Sequence, residues 1–129
     1  MSFKAIFKVD GKDYIVLSCH YKLNQEYDVT GRPSSVARGG VIDLVVESTD
    51  SSKLFEWMCD SYMKKDATIT FNKREENAKL KELEIKEAYM VGYQESFDSI
   101  GTGAMTESIS LSAKSIKMGD GELQNEWPI

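Results

Sequence analysis

The chain has 129 residues, 41% of them hydrophobic and 29% charged, which suits one soluble domain spanning residues 1–129 and leaves too little length for two cores. Its net charge of −5 disfavours nucleic acid or an anionic membrane surface as the main partner. No apolar run approaches the ~20 residues needed to cross a bilayer, so membrane insertion is not expected.

The chain alternates from its start. Phe3, Ala5, Phe7 and Val9 share one face of a strand and Lys4 and Lys8 the other, with Ile6 out of pattern. This is not the apolar core of a signal peptide, so export through a cleaved leader is not expected. Asp10-Gly11 is a two-residue hairpin signal, because a type I′ turn needs positive φ and glycine allows it. The returning strand then puts Ile15, Leu17, Cys19, Tyr21 and Leu23 on one face. Cys19 and Cys59 are expected as reduced, buried thiols rather than as a disulfide.

Residues 28–40, DVTGRPSSVARGG, show no periodicity and contain Gly31, Pro33, Gly39 and Gly40. A loop of about a dozen residues is unusual in a compact domain and is commonly functional or disordered. Residues 41–47 follow as a valine- and isoleucine-rich strand, expected to be buried on both faces. A helix is predicted over about residues 52–64. Leu54, Phe55, Met58 and Tyr62 form its apolar stripe, widened by Trp57 and Met63. Asp50, Ser51 and Ser52 offer N-cap oxygens, and Lys64 and Lys65 suit its C-terminal carbonyls. Burying each stripe residue is worth ~1.5–3 kcal/mol.

Residues 67–72 give a clean strand with Ala67, Ile69 and Phe71 on one face. Residues 73–90 set two rules against each other. Their Lys- and Glu-rich composition favours helix, yet Leu83, Ile85, Tyr89, Val91 and Tyr93 are all odd-numbered, with Glu87 the one charge on that face. A helix would bury Leu80, Leu83, Glu87 and Met90 together. The pattern favours a long hairpin instead, with a charged turn near residues 75–79 and a strand over about 81–95. A glycine-containing loop spans residues 99–104. Met105, Glu107, Ile109, Leu111 and Ala113 then alternate with polar residues, and Ile116 and Met118 continue on the other parity after a bulge. Gly119-Asp120-Gly121 turns the chain again, leaving a tail that has room for one short strand. The expected fold is mainly β: an antiparallel two-sheet β-barrel of seven to nine strands with one inserted helix covering an opening.

Positive evidence for catalysis is lacking. His20 sits mid-strand opposite the apolar set, where a solvent-facing or interface role is expected and no partner for a base is evident. Two cysteines forty residues apart and one histidine make no zinc set. Gly31-Arg32-Pro33-Ser34-Ser35 lacks the glycine spacing and lysine of a phosphate loop. No enzyme, cofactor or metal is therefore expected. Two readings of the long loop remain open: an ordinary surface loop, or a projecting arm whose Arg32 and Arg38 meet carboxylates on a neighbouring copy. A monomeric β-barrel holding a small apolar ligand fits the same pattern of elements.

Tyr27-Asp28-Val29-Thr30-Gly31-Arg32-Pro33-Ser34-Ser35, followed by Gly39-Gly40-Val41-Ile42, resembles the first-loop signature of the Hcp (TssD) family, the tube proteins of type VI secretion, in its Bacteroidetes branch. The likeness continues through Leu54-Phe55-Glu56-Trp57-Met58, the strand at 67–71, Gly119-Asp120-Gly121 and Asn125-Glu126-Trp127. The chain reads as the plain tube subunit, without a fused toxin. The resemblance implies hexameric rings that stack into a hollow tube, with a contractile sheath around it and a spike at its tip. It also implies that some rings hold small effectors in the lumen. Assembly in the cytoplasm and delivery outside the cell through the apparatus follow from the same likeness. It supports the strand reading of residues 81–95. It also makes Arg32, Pro33, Ser34 and Ser35 contacts between rings, with residues 36–38, Arg38 among them, helping.

Overall fold

A computed structural model describes residues 3–73, 79–100 and 105–125. Its elements in chain order are β1 (Phe3–Val9), β2 (Lys12–Tyr21), β3 (Val41–Glu47), α1 (Lys53–Cys59), β4 (Lys64–Lys73), β5 (Lys79–Phe97), β6 (Met105–Met118) and β7 (Gly121–Gln124). The strands run β3-β2-β1-β4-β5-β6, all neighbours antiparallel, and β3 pairs back onto β6. Six strands thus close into a barrel and satisfy one another's edges. The seventh, β7, pairs with the part of β6 that lies beyond β3. The ladder passes between the two without a gap: Ala113 N–H donates to Gly40 O (2.8 Å) and Asn125 N–H to Lys114 O (2.7 Å).

Local chemistry accounts for the elements the alternation predicts. Asp10 (φ 55°) and Gly11 (φ 72°) make the primed turn between β1 and β2. Phe7 and Val9 point inward beside Ala67 and Ile69, to which they are paired across β1 and β4. Residues 81–95 are strand, as the period-2 pattern required, and β5 extends beyond them at both ends. The predicted charged turn lies outside the described residues except for Lys79, and the loop at 99–104 does so except for Ser99 and Ile100. The interior is filled with side chains, among them Phe7, Tyr14, Ile42, Leu44, Ile69, Ile85 and Leu111, all essentially without solvent access.

Several expectations are corrected, and most corrections have one cause. A β-bulge adds a residue to one strand and exchanges the faces beyond it. In β2 the register shifts between Val16 and Ser18, so Tyr14 and Val16 face the core before it and Cys19 and Tyr21 after it. Ile15, Leu17 and Leu23 are exposed instead. In β5, Leu83 and Ile85 are buried, then Ala88 and Met90, with Glu87 (φ 50°) at the change of parity. A second shift lies between Met90 and Gly92, so Val91 is exposed while Tyr93 packs against the core. The expected odd-numbered face therefore does not include Val91, nor Tyr89, which lies on the face opposite buried Ala88 and Met90 with Lys64 over its ring. Strand β3 is buried on one face only, through Ile42, Leu44 and Val46. Cys59 is exposed rather than buried, and Cys19 is half-buried; both are free.

The helix is the other correction: it ends at Cys59, not near residue 64. Asp60 turns extended (φ −104°, ψ 102°), and the Trp57 indole N–H donates to Met63 O at 2.9 Å, fixing the chain's exit. Leu54 and Trp57, each 1% exposed, seal the barrel, with Met58 partly buried beside them. Phe55 is 55% exposed, its ring meeting Tyr93 edge-on at 5.8 Å, and Tyr62 lies outside the helix at 84% exposed. Neither belongs to the buried stripe, which follows i, i+3 and not i, i+8. Lys64 and Lys65 start β4 instead of capping the helix. Lys65 pairs with Asp10 and sits 5.6 Å above the Trp57 ring.

Glu107 is 2% exposed inside the barrel. Its carboxylate accepts from Tyr93 OH (3.1 Å), and Ser48 Oγ lies between it (3.0 Å) and Glu95 (2.9 Å), one hydroxyl proton shared by two carboxylates; such partners are how a buried charge-bearing group is tolerated. Burial, and then the adjacent Glu107 carboxylate, push the Tyr93 phenol well above the usual tyrosine range.

Candidate assembly site

Between β2 and β3 the chain leaves the barrel as an arm, residues 22–40. Periodicity is absent because the arm is held by polar side chains rather than by an apolar face. Its two limbs pair at Asn24–Arg38 and Tyr27–Pro33. The first pair exchanges both backbone bonds, at 2.9 and 2.7 Å, and Ser34 N–H donates to Glu26 O at 2.8 Å. Ser35 works inside the arm: its Oγ accepts from Glu26 N–H (2.9 Å), and its carbonyl accepts from Gln25 Nε2 (3.0 Å).

The tip is a turn organised by Asp28. One carboxylate oxygen accepts from Thr30 Oγ1 (2.7 Å), Thr30 N–H (2.9 Å) and Arg32 N–H (3.1 Å). Asp28 N–H also donates to Arg32 O at 2.8 Å. The Thr30 hydroxyl first, then the Arg32 and Thr30 amides, hold the Asp28 carboxyl below its ordinary range. Gly31 takes φ +89°, a conformation that side chains resist. The result is an ordered arm that is almost wholly in solvent.

Arg32, Pro33, Ser34 and Arg38 are all exposed on this arm, and Ser35 is half-buried. No described ion pair or side-chain hydrogen bond engages the guanidinium of Arg32 or Arg38. Three apolar residues of the arm are exposed as well: Val36, expected to help the contact, and Tyr27 and Val29, to which the sequence assigned no contact. Their signal was their position, two flanking the Asp28 turn and one on the returning limb. Under the arm lies an open cleft of ≈ 890 Å³ between Leu23, Val36 and Arg38 on one side and Leu83, Ile116, Met118 and Leu123 on the other.

His20 is exposed opposite Asp43 on the barrel's outer face. Ser110 Oγ donates to Asp43 at 2.5 Å, so the serine proton goes to the carboxylate and not to an imidazole, unlike a nucleophile–base relay. Among the described residues no group of three metal-ligating side chains occurs, and no helix is long and apolar enough to cross a membrane.

Comparison with known proteins follows this geometry closely. A sequence model of the hemolysin coregulated protein Hcp (TssD) matches residues 1–128. Hcp1 from Flavobacterium johnsoniae is 50% identical and superposes with a TM-score of 0.88, over 95% of this chain and 99% of that one. Hcp1 from Salmonella typhimurium shares the fold at 17% identity (TM-score 0.74, covering 92% and 86% of the two chains). A subunit of the PVC sheath–tube complex, from an extracellular contractile injection system, shares it at 20% identity (TM-score 0.55, 89% and 87%). No curated protein sequence matches the chain.

Proposed function

The chain belongs to the Hcp (TssD) family and is a tube subunit of type VI secretion; on that footing we propose that six copies close into a ring and that the arm joins one ring to the next. The observation that carries this reading is the arm. It is folded without burying an apolar face, and it presents exposed Val29 and Pro33 beside an Arg32 guanidinium that no ion pair or side-chain hydrogen bond engages among the described residues. A segment ordered in advance loses little entropy on docking. A head-to-tail ring gives each subunit two different flanks, which suits a closed barrel with exposed Ile15 and Leu17 on its outside.

In this reading Arg32, Pro33 and Ser34 touch the neighbouring ring and Arg38 braces the arm's base. Ser35 supports the arm from within. The protein acts by shape, transforms no substrate and needs no cofactor. A sheath surrounds its tube, a spike tips it, and the lumen accommodates small effectors. The subunit is assembled in the cytoplasm and leaves the cell with the tube.

Size-exclusion chromatography with light scattering tests the ring: the expected mass is six times the 14.5 kDa of one chain. Arg32→Glu tests the arm. It should leave that mass unchanged and abolish tube growth in negative-stain micrographs; growth at the wild-type rate rules the contact out.

A further inference from the structure

Gly39 and Gly40 bring the arm back to the barrel, and what holds them there comes from the far end of the described chain. The Asn125 carboxamide Nδ2 donates to Gly39 O and to Ala113 O, both at 3.0 Å. Its own backbone N–H donates to Lys114 O at 2.7 Å, while Gly40 O accepts from Ala113 N–H at 2.8 Å. Both amide protons are used on carbonyls, so the side chain has one workable orientation. The returning limb, β6 and the end of β7 therefore meet at one half-buried amide.

The glycines are shaped to this amide. Gly40 takes φ +100°, and a Cβ there would stand 2.4 Å from Asn125 Nδ2 and 2.9 Å from Ala113 O. A Cβ on Gly39 would stand 2.4 Å from Leu23 Cδ2 and 2.9 Å from Lys22 O, on the outgoing limb. The bonds at Asn24–Arg38 and Tyr27–Pro33 keep the arm folded, but they lie within it and do not set its angle to the barrel.

We propose that Asn125 is a positioning residue for assembly: its carboxamide fixes the direction in which the arm leaves the barrel, and so whether the tip meets the adjacent ring. This rests on the arm being the inter-ring contact. Losing the tie leaves a folded arm that pivots about Gly39 and Gly40, and docking then has to restrict that motion.

The test compares Asn125→Asp, Asn125→Ser and Arg32→Glu in the purified full-length chain. Asn125→Asp places carboxylate oxygens against two carbonyls; Asn125→Ser keeps one donor on a shorter side chain. The expected result is unchanged ring mass in both Asn125 variants, with a melting temperature lowered by at most a few degrees, more for aspartate, from the two lost bonds. The protein concentration needed for tube growth should rise on the order of tenfold or more, with the larger rise for aspartate. In isolated Asn125→Asp rings, amide exchange should quicken at Ala113 while the Thr30 and Arg32 amides at the tip stay as in wild type. If Arg32→Glu blocks growth but both Asn125 variants grow like wild type, the positioning role is overturned and the arm contact stands. If Arg32→Glu also grows like wild type, the arm contact fails and the positioning role with it. Loss of the ring in both Asn125 variants would assign the amide to barrel closure and equally overturn the proposal.

Discussion

The barrel and the arm are built on opposite terms. Inside the barrel, Trp57, Phe7, Ile69 and Leu111 are held by exclusion from water, and a buried carboxylate, Glu107, is met by the Tyr93 hydroxyl and by a Ser48 hydroxyl it shares with Glu95. In the arm almost nothing is buried, and order comes from Asp28, Ser35 and a few backbone bonds. Apolar burial fixes stability, while a short polar network in water fixes local shape at little global benefit. Substitutions in the two regions should therefore separate folding from assembly.

The largest effect is expected at the barrel's seal. Trp57→Ala removes a fully buried ring and the indole bond that ends α1, and should cost about 3–5 kcal/mol in denaturant unfolding. Glu107→Ala should cost about 1–3 kcal/mol, because the Tyr93 hydroxyl loses a buried acceptor, whereas Ser48 keeps Glu95 at 2.9 Å. A value near zero would mean that water replaces the carboxylate. The two thiols divide along the same line. Burial, then the Asp43 charge, pushes Cys19 up to about 11, leaving it a protonated, half-buried thiol. Cys59 is exposed, so a thiol reagent at pH 8 should label Cys59 first and Cys19 many times more slowly; equal rates would show that β2 opens readily.

The smallest effect on stability, and the most telling for the arm, is expected at Asp28. Its carboxyl is held below the ordinary range, so its share of tip order is present above the usual carboxylate pKa and is lost as pH falls through the lowered folded value. Amide shifts of Thr30 and Arg32 should move together in that acidic window, with the barrel's melting temperature tracking wild type in Asp28→Ala. A barrel that unfolds with the tip would erase the contrast between the regions.

Much of the barrel was legible because period-2 alternation and Asp-Gly turns are local signals. Phe7, Val9, Ala67 and Ile69 needed nothing else. The faces of β2 and β5 were not, since the bulges after Val16 and Met90 and the positive φ at Glu87 depend on partner strands that a single segment does not display. Helix length failed for a related reason: Trp57 reads as another stripe residue until its N–H is seen to reach Met63 O. The positions of Arg32 and Arg38 in a glycine-rich loop could be read directly. That the loop is a folded arm could not, because Asp28, Ser35 and Asn125 order it through hydrogen bonds, which leave no periodic trace.

Strand β6 carries β5 along one flank and β3 followed by β7 along the other. Drawn lengthwise, it yields only by shearing both ladders together, since neither flank lets them unzip rung by rung. For a tube subunit pulled along that strand, the seam would hold until every rung on both flanks gave way together.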